Sequence, residues 1–216
     1  MVEKELKKKK KKWFAIHAGP EFNKTRIGET PASEASEIIG RTIKVNLAAL
    51  TNDPKKQGYT LLFKITKCEN DIAYADMIQY RLGQSHVRKL SRKGIKKIED
   101  SFLVTTKDNV SFRVKPLLIT RFKTQRSIGS ALHHQIKEHL TDMFKTLESK
   151  DAFLSVIGNK VQMELKGLLK KTYPIAISEI RILQKTKATA QQTQPHPSNY
   201  PYNPSNPSPA LTTTPD

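Results

Sequence analysis

The spacing of apolar residues changes twice along this chain, and that change restricts the fold more than any other feature. RTIKVNLAAL (41–50), YTLLFKITKCE (59–69) and IAYADMIQYR (72–81) are short runs rich in β-branched and aromatic residues, as strands are. TNDPKKQG separates the first two and Asn70-Asp71 precedes the third; both are turn signals. The expected structure is a β-hairpin with a long basic loop, followed by a third strand. FLVTT, a turn at Lys107-Asp108-Asn109, and VSFRVKPLLITRFK extend the sheet as strand, turn and two strands divided at Pro116. From Ser127 the period becomes helical: Ile128, Leu132, Ile136, Leu140, Met143, Phe144 and Leu147 recur at threes and fours, which puts them on one buried face. A second helix is expected after Asp151, a good N-cap, carrying Phe153, Leu154, Ile157, Val161, Leu165, Leu168 and Leu169, with Gly158-Asn159 as a breaker. Tyr173-Pro174 ends it, and IAISEIRIL (175–183) reads as a last strand. Strands, then helices, then one strand predict an α+β domain with a mostly antiparallel sheet, one short basic helix and two C-terminal helices.

A chain of 216 residues supports one good core and leaves room for tails. Residues 1–12 are too charged to pack and read as a basic N-terminal arm, residues 13–187 as a single domain, and residues 188–216 as a Pro/Asn/Thr-rich tail expected to be disordered. Cys68 is the only cysteine, so neither a disulfide framework nor a cysteine-based zinc site can form within the chain. No apolar run approaches the roughly 18 residues of a membrane span, and KKKKKK leads straight into WFAIHAGPEF. A soluble, cytoplasmic protein is expected.

The formal charge is +18, and charge of that size speaks to partners rather than to fold. It is clustered. Residues 81–126 hold thirteen Lys or Arg against three acids, and residues 1–12 hold seven Lys against two. Within the first cluster, HVRKLSRKGIKKIED (86–100) segregates on a helical wheel. Val87, Leu90, Gly94, Ile95 and Ile98 fall on one side and Arg88, Lys89, Arg92, Lys93, Lys96 and Lys97 on the other. A helix from an N-cap at Ser85 to about Ile98 is expected. It would carry four like-charge i,i+4 pairs with no acid between them, each costing about 0.2–0.5 kcal/mol, a repulsion that a polyanion would relieve. Its apolar side suffices to dock on a sheet and is thin for a bilayer. Arg113, Lys115, Arg121, Lys123 and Arg126 continue the charge onto the next strand. One rigid basic surface of this kind suits structured RNA; the alternatives are a regulatory RNA-binding protein and a membrane-surface module.

Catalytic constellations are not legible. His133, His134 and His139 are not spaced as an i,i+4 metal pair, and the chain has no phosphate loop, dinucleotide fingerprint or nucleophile elbow. Neither a metal, a cofactor nor an enzymatic activity is expected.

Several short motifs nevertheless occur together in a recognisable order. They are Lys12-Trp13-Phe14 with Ala18-Gly19-Pro20-Glu21-Phe22, Ile27-Gly28-Glu29-Thr30-Pro31-Ala32, Ile39-Gly40-Arg41 running into Val45-Asn46-Leu47, and Leu50-Thr51-Asn52-Asp53. Thr105-Thr106-Lys107-Asp108, Arg113-Val114-Lys115-Pro116 and Tyr173-Pro174 follow. Over about residues 7–187 the chain resembles the S-three-Ae (e-S-one) family of small-subunit ribosomal proteins, in its archaeal rather than eukaryotic form. It departs at Leu82-Gly83-Gln84-Ser85, where that family usually carries Leu-Thr-Arg-Asp. The resemblance implies a β-barrel-like sheet flanked by helices and a structural place on the platform of the small subunit near the mRNA exit. It further implies contact with rRNA and neighbouring ribosomal proteins, with mRNA or initiation factors as further partners. The expected RNA contacts are Lys8, Lys9, Lys10, Lys11 and Lys12 of the arm, then Arg81, Arg88, Lys89, Arg92, Lys93, Lys96, Lys97, Arg113, Lys115, Arg121, Lys123 and Arg126. Trp13 and Phe14 are expected to anchor the arm on the core in preference to stacking on bases.

Overall fold

A computed structural model describes residues 10–91 and 94–186. Among the described residues nine strands join one sheet. β1 (Lys12–Ala18) and β2 (Arg26–Ala32) form an antiparallel pair. β1 turns Phe14, Ile16 and Ala18 into the core and leaves Trp13 67% exposed. The expected anchoring therefore divides: Phe14 anchors and Trp13 does not.

β3 (Thr42–Asn46) is shorter than the run that predicted it, because Leu47–Thr51 turns into a helix, α1. Leu47-Ala48-Ala49-Leu50 has no β-branched residue to hold it extended. Asn46 also caps the turn, its Oδ1 accepting the Ala48 N–H at 2.9 Å while its Nδ2 donates to the Gln57 carbonyl at 3.1 Å. β4 (Tyr59–Glu69) and β5 (Ile72–Leu82) form the longest hairpin. Its turn places Asn70 and Asp71 at φ 46° and 63°, the left-handed pair that a two-residue hairpin needs.

The expected basic helix is corrected. α2 spans only Gln84–Leu90, with Gly83 rather than Ser85 at its N-cap, and Ser91 is already extended. Gly94 follows at φ +85°, and Lys97–Glu99 form strand β6 against β8 (Ser111–Thr120), with Ile98 opposite Leu118. Val87 and Ile98 are both buried, as the wheel required, but on two different elements. The chain thus leaves the helix before Lys96 and Lys97, and β6 gains ladder hydrogen bonds to β8. Arg92 and Lys93 lie outside the described residues.

β7 (Phe102–Thr105) pairs with the first half of β8. β8 runs through Pro116 without a break. The register shifts there, Lys115 facing Ile182 and Pro116 facing Ile180 of β9 (Ile175–Lys185), so the missing N–H falls at a bulge. α3 (Arg126–Thr146) buries Leu132, Ile136, Leu140 and Phe144. The expected second helix is two, α4 (Ser149–Ile157) and α5 (Lys160–Leu169), divided where Asn159 takes φ +60°. Its N-cap is Glu148 rather than Asp151, which sits in the first turn. Asp108, expected only as a turn residue, accepts the Ser149 N–H at 2.8 Å and does the capping work across the fold.

The sheet's main path is β2-β1-β5-β9-β8-β6, with β4 on the other edge of β5, β3 beyond it, and β7 on β8. It is open rather than closed into a barrel. Among the described residues only β1 and β5 run parallel. The helices cover one face, where Phe112 meets Phe153 and Phe144 with ring centroids 5.3 and 6.5 Å apart.

Candidate nucleic-acid interface

On the strands that carry the helices, the opposite face of the sheet is open, and register decides what it presents. Cα partners run without interruption through Lys44, Leu62, Gln79, Gln184, Arg113 and Leu103 across β3, β4, β5, β9, β8 and β7. The next row is Asn46, Thr60, Arg81, Ile182 and Lys115. Residues paired in register share a face, so Lys44, Arg81, Arg113 and Lys115 stand on one surface. Neighbouring strands lie about 4.8 Å apart, so Lys44 and Arg113, separated by four intervals, are about 19 Å apart. Within the two rows there is no acid. A cavity of about 260 Å³ opens on this face, lined by Lys44, Thr60, Leu62, Gln79, Arg81, Gly83 and Gln84. Arg181 fixes its rim, donating to Gln84 Oε1 at 3.0 Å and to Glu99 Oε1 at 3.1 Å.

A second group lies at the far end of β8. Arg121 and Lys123 are exposed on the loop entering α3, and Arg126 is exposed at the first position of that helix. Beside them Lys96 Nζ donates to the Gln125 carbonyl at 3.2 Å. A third group is smaller: Arg88 and Lys89 are exposed on α2, and Lys89 shares a shallow groove with Lys55, His86 and Ser85.

The expected cations thus stand on several different elements, and the four described cations of residues 88–97 are not equivalent. Lys97 pairs with Glu99 at 3.1 Å and Lys96 is turned toward Gln125. Among the described residues no ion pair forms at Arg88 or Lys89. Lys10 and Lys11 are exposed, and Lys12 opens β1; Lys8 and Lys9 lie outside the described residues. The sequence reading missed Lys44, Gln79, Gln184 and Arg181, which reach their places only through strand pairing. Lys55 stands outside the expected contacts although TNDPKKQG reads as a basic loop.

The buried polar groups belong to the core. Tyr59 Oη donates to Glu179 Oε1 at 3.4 Å. Burial raises the Glu179 carboxyl, against the Tyr59 hydrogen bond that lowers it, and burial together with the Glu179 charge pushes Tyr59 up to about 12. Among the described residues no group of three His, Cys, Asp or Glu could hold a metal ion, and no helix is long and apolar enough to cross a membrane.

A family-wide sequence comparison matches residues 3–190 to the ribosomal S3Ae family. Among individual proteins, the small ribosomal subunit protein eS1 of Nanoarchaeum equitans is 35% identical over 173 residues, covering 80% of this chain and 87% of that protein. Its namesake in Archaeoglobus fulgidus is 33% identical over 188 residues, 86% and 89% of the two chains. That of Halorubrum lacusprofundi is 34% identical over 179 residues, 82% of each.

Proposed function

From the premise that this chain belongs to the ribosomal S3Ae family, we propose that it is a structural constituent of the small ribosomal subunit and acts in translation. The observation that carries this reading is similarity across four-fifths or more of both chains to several archaeal proteins of that name. It is not an enzyme. Its partners are small-subunit rRNA and neighbouring ribosomal proteins, and its place is the cytoplasm, within the small subunit.

On this reading the protein sits on the platform near the mRNA exit, where mRNA or initiation factors come within reach. The rRNA contacts are the arm lysines, the cations of the open sheet face (Lys44, Arg81, Arg113 and Lys115), the β8–α3 loop with Arg121, Lys123 and Arg126, and Arg88 and Lys89 of α2. What supports the sheet-face contacts is geometry: Lys44, Arg81 and Arg113, all exposed, and half-buried Lys115 stand in two registered rows that hold no acid. Such a surface neutralises phosphates in a fixed pattern without reading sequence. Ultraviolet cross-linking in growing cells, followed by sequencing of the attached RNA, tests the proposal. Small-subunit rRNA should dominate; recovery of other RNA classes without it would refute the reading.

A further inference from the structure

The loop between β8 and α3 presents an aromatic ring in surroundings that call for a nucleic-acid base. Phe122 is 60% exposed. A single exposed apolar side chain is ordinary, and Met163 or Ile39, exposed to a similar degree, call for nothing more. Phe122 differs in two respects.

The first is rigidity. The loop is held on consecutive residues by main-chain and side-chain hydrogen bonds. Thr120, fully buried, donates its hydroxyl to the Phe122 carbonyl at 2.7 Å and accepts the Lys96 N–H at 3.3 Å. The Arg121 N–H donates to the Pro174 carbonyl at 3.0 Å, and the Tyr173 hydroxyl to the Lys123 carbonyl at 3.2 Å. The ring is displayed from a backbone pinned on both sides of it, so the ordering cost of binding is already met in the free protein.

The second is charge. Arg121 lies with its guanidinium carbon 5.9 Å from the Phe122 ring centroid, and Lys123 and Arg126 are exposed on the same short segment, which holds no acid from Arg121 to Ser130. The acid of the adjoining strand β6 and the one just after it are engaged, Glu99 with Lys97 and Arg181 and Asp100 with His133. An aromatic face flanked by unpaired cations is the arrangement that takes one base by stacking and its phosphates by charge.

We infer that Phe122 stacks on an unpaired base of bound RNA, with Arg121 lying against the same ring and Lys123 and Arg126 on the flanking phosphates. This rests on the RNA-binding reading above and makes it specific. The base must be unpaired, because the faces of paired bases are closed by their neighbours in the helix.

The test uses the full chain and a full-length small-subunit rRNA transcript, with Phe122→Leu, which keeps apolar bulk without the π face, and Phe122→Trp. Loss of one stack predicts binding about 5- to 150-fold weaker for Phe122→Leu, with the salt slope kept because the phosphate contacts remain. Phe122→Trp should restore affinity, and in a Trp13→Phe background its emission should be quenched by the RNA. Parent binding with Phe122→Leu within twofold of it overturns this inference alone. A parent chain that shows no salt-dependent binding overturns the RNA reading and this inference with it. Unchanged RNA affinity but failure of Phe122→Leu to enter subunits assigns the ring to a protein neighbour and likewise overturns it.

Discussion

Replacing Lys44, Arg81, Arg113 and Lys115 together by alanine removes the cations of the open sheet face and little else. None of the four makes an ion pair or a side-chain hydrogen bond with another described residue; Lys44, Arg81 and Arg113 are exposed and Lys115 is half-buried, and surface substitutions of this kind change stability by about 0.5 kcal/mol or less each. The fold should survive. If each contacts one phosphate, the slope of log affinity against log salt should fall by about 0.7–0.9 per contact, or roughly 3 for the set. Across a fourfold rise in salt, from about 50 to 200 mM, the variant should therefore lose about 50- to 150-fold less affinity than the parent. The assay is filter binding to small-subunit rRNA over that range. A matched set on the helical side, Lys137, Lys145, Lys150 and Lys160, serves as control. These lysines are exposed on or beside α3–α5 among acids, with Lys145 paired to Asp142 at 3.2 Å and Lys150 near Glu21 at 4.0 Å. Their removal should change the slope by less than about 1. Equal slopes for the two sets would refute the reasoning, because total charge and not its placement would then govern binding.

Two further outcomes probe the fold. Gly94→Ala should lower Tm by about 2–4 °C: at φ +85° an added Cβ meets no neighbour but strains the backbone by about 1 kcal/mol. In a continuous helix through this point the same change would raise Tm by a similar amount, so the sign distinguishes the two structures. Glu179→Gln should raise Tm near neutral pH. Burial raises the Glu179 carboxyl above its ordinary value, so the folded chain holds that proton more tightly than the unfolded one. The resulting stability is present below the ordinary carboxylate pKa and lost as pH rises through the raised value. The glutamine keeps an acceptor for Tyr59 without the charge, flattening Tm against pH; a lower Tm than the parent at about pH 8 would contradict this.

The long hairpin β4–β5 was legible because alternation and turn chemistry agree there: Tyr59, Leu61, Phe63 and Ile65 are buried in turn, and Asn70-Asp71 supplies both left-handed residues. α3 was legible for the same reason at the helical period. The basic stretch misled because the wheel scores only the side on which Val87, Leu90, Ile95 and Ile98 fall, and a helix end followed by a turn and a short strand can satisfy it equally well. Gly94 was the available signal, a residue with left-handed freedom at the middle of the supposed helix. For the candidate interface, local charge points to Arg81, Arg113, Lys115 and the β8–α3 loop. Lys44, Gln79 and Gln184 could not be found that way: they join Arg113 only through pairings across β3, β4, β5, β9 and β8, and register between distant strands leaves no local pattern. Phe122 lies in a run, VSFRVKPLLITRFK, that reads as strand, and its display depends on the strand ending at Thr120.

The claim on which the rest depends is that the chain is a stoichiometric part of the small ribosomal subunit. Sedimentation of a cell extract through a magnesium-containing gradient, with the chain and small-subunit rRNA quantified in every fraction, measures it. The account predicts a peak coincident with the small subunit at close to one chain per rRNA; a chain that stays at the top of the gradient, or reaches the subunit only in trace amounts, would contradict it.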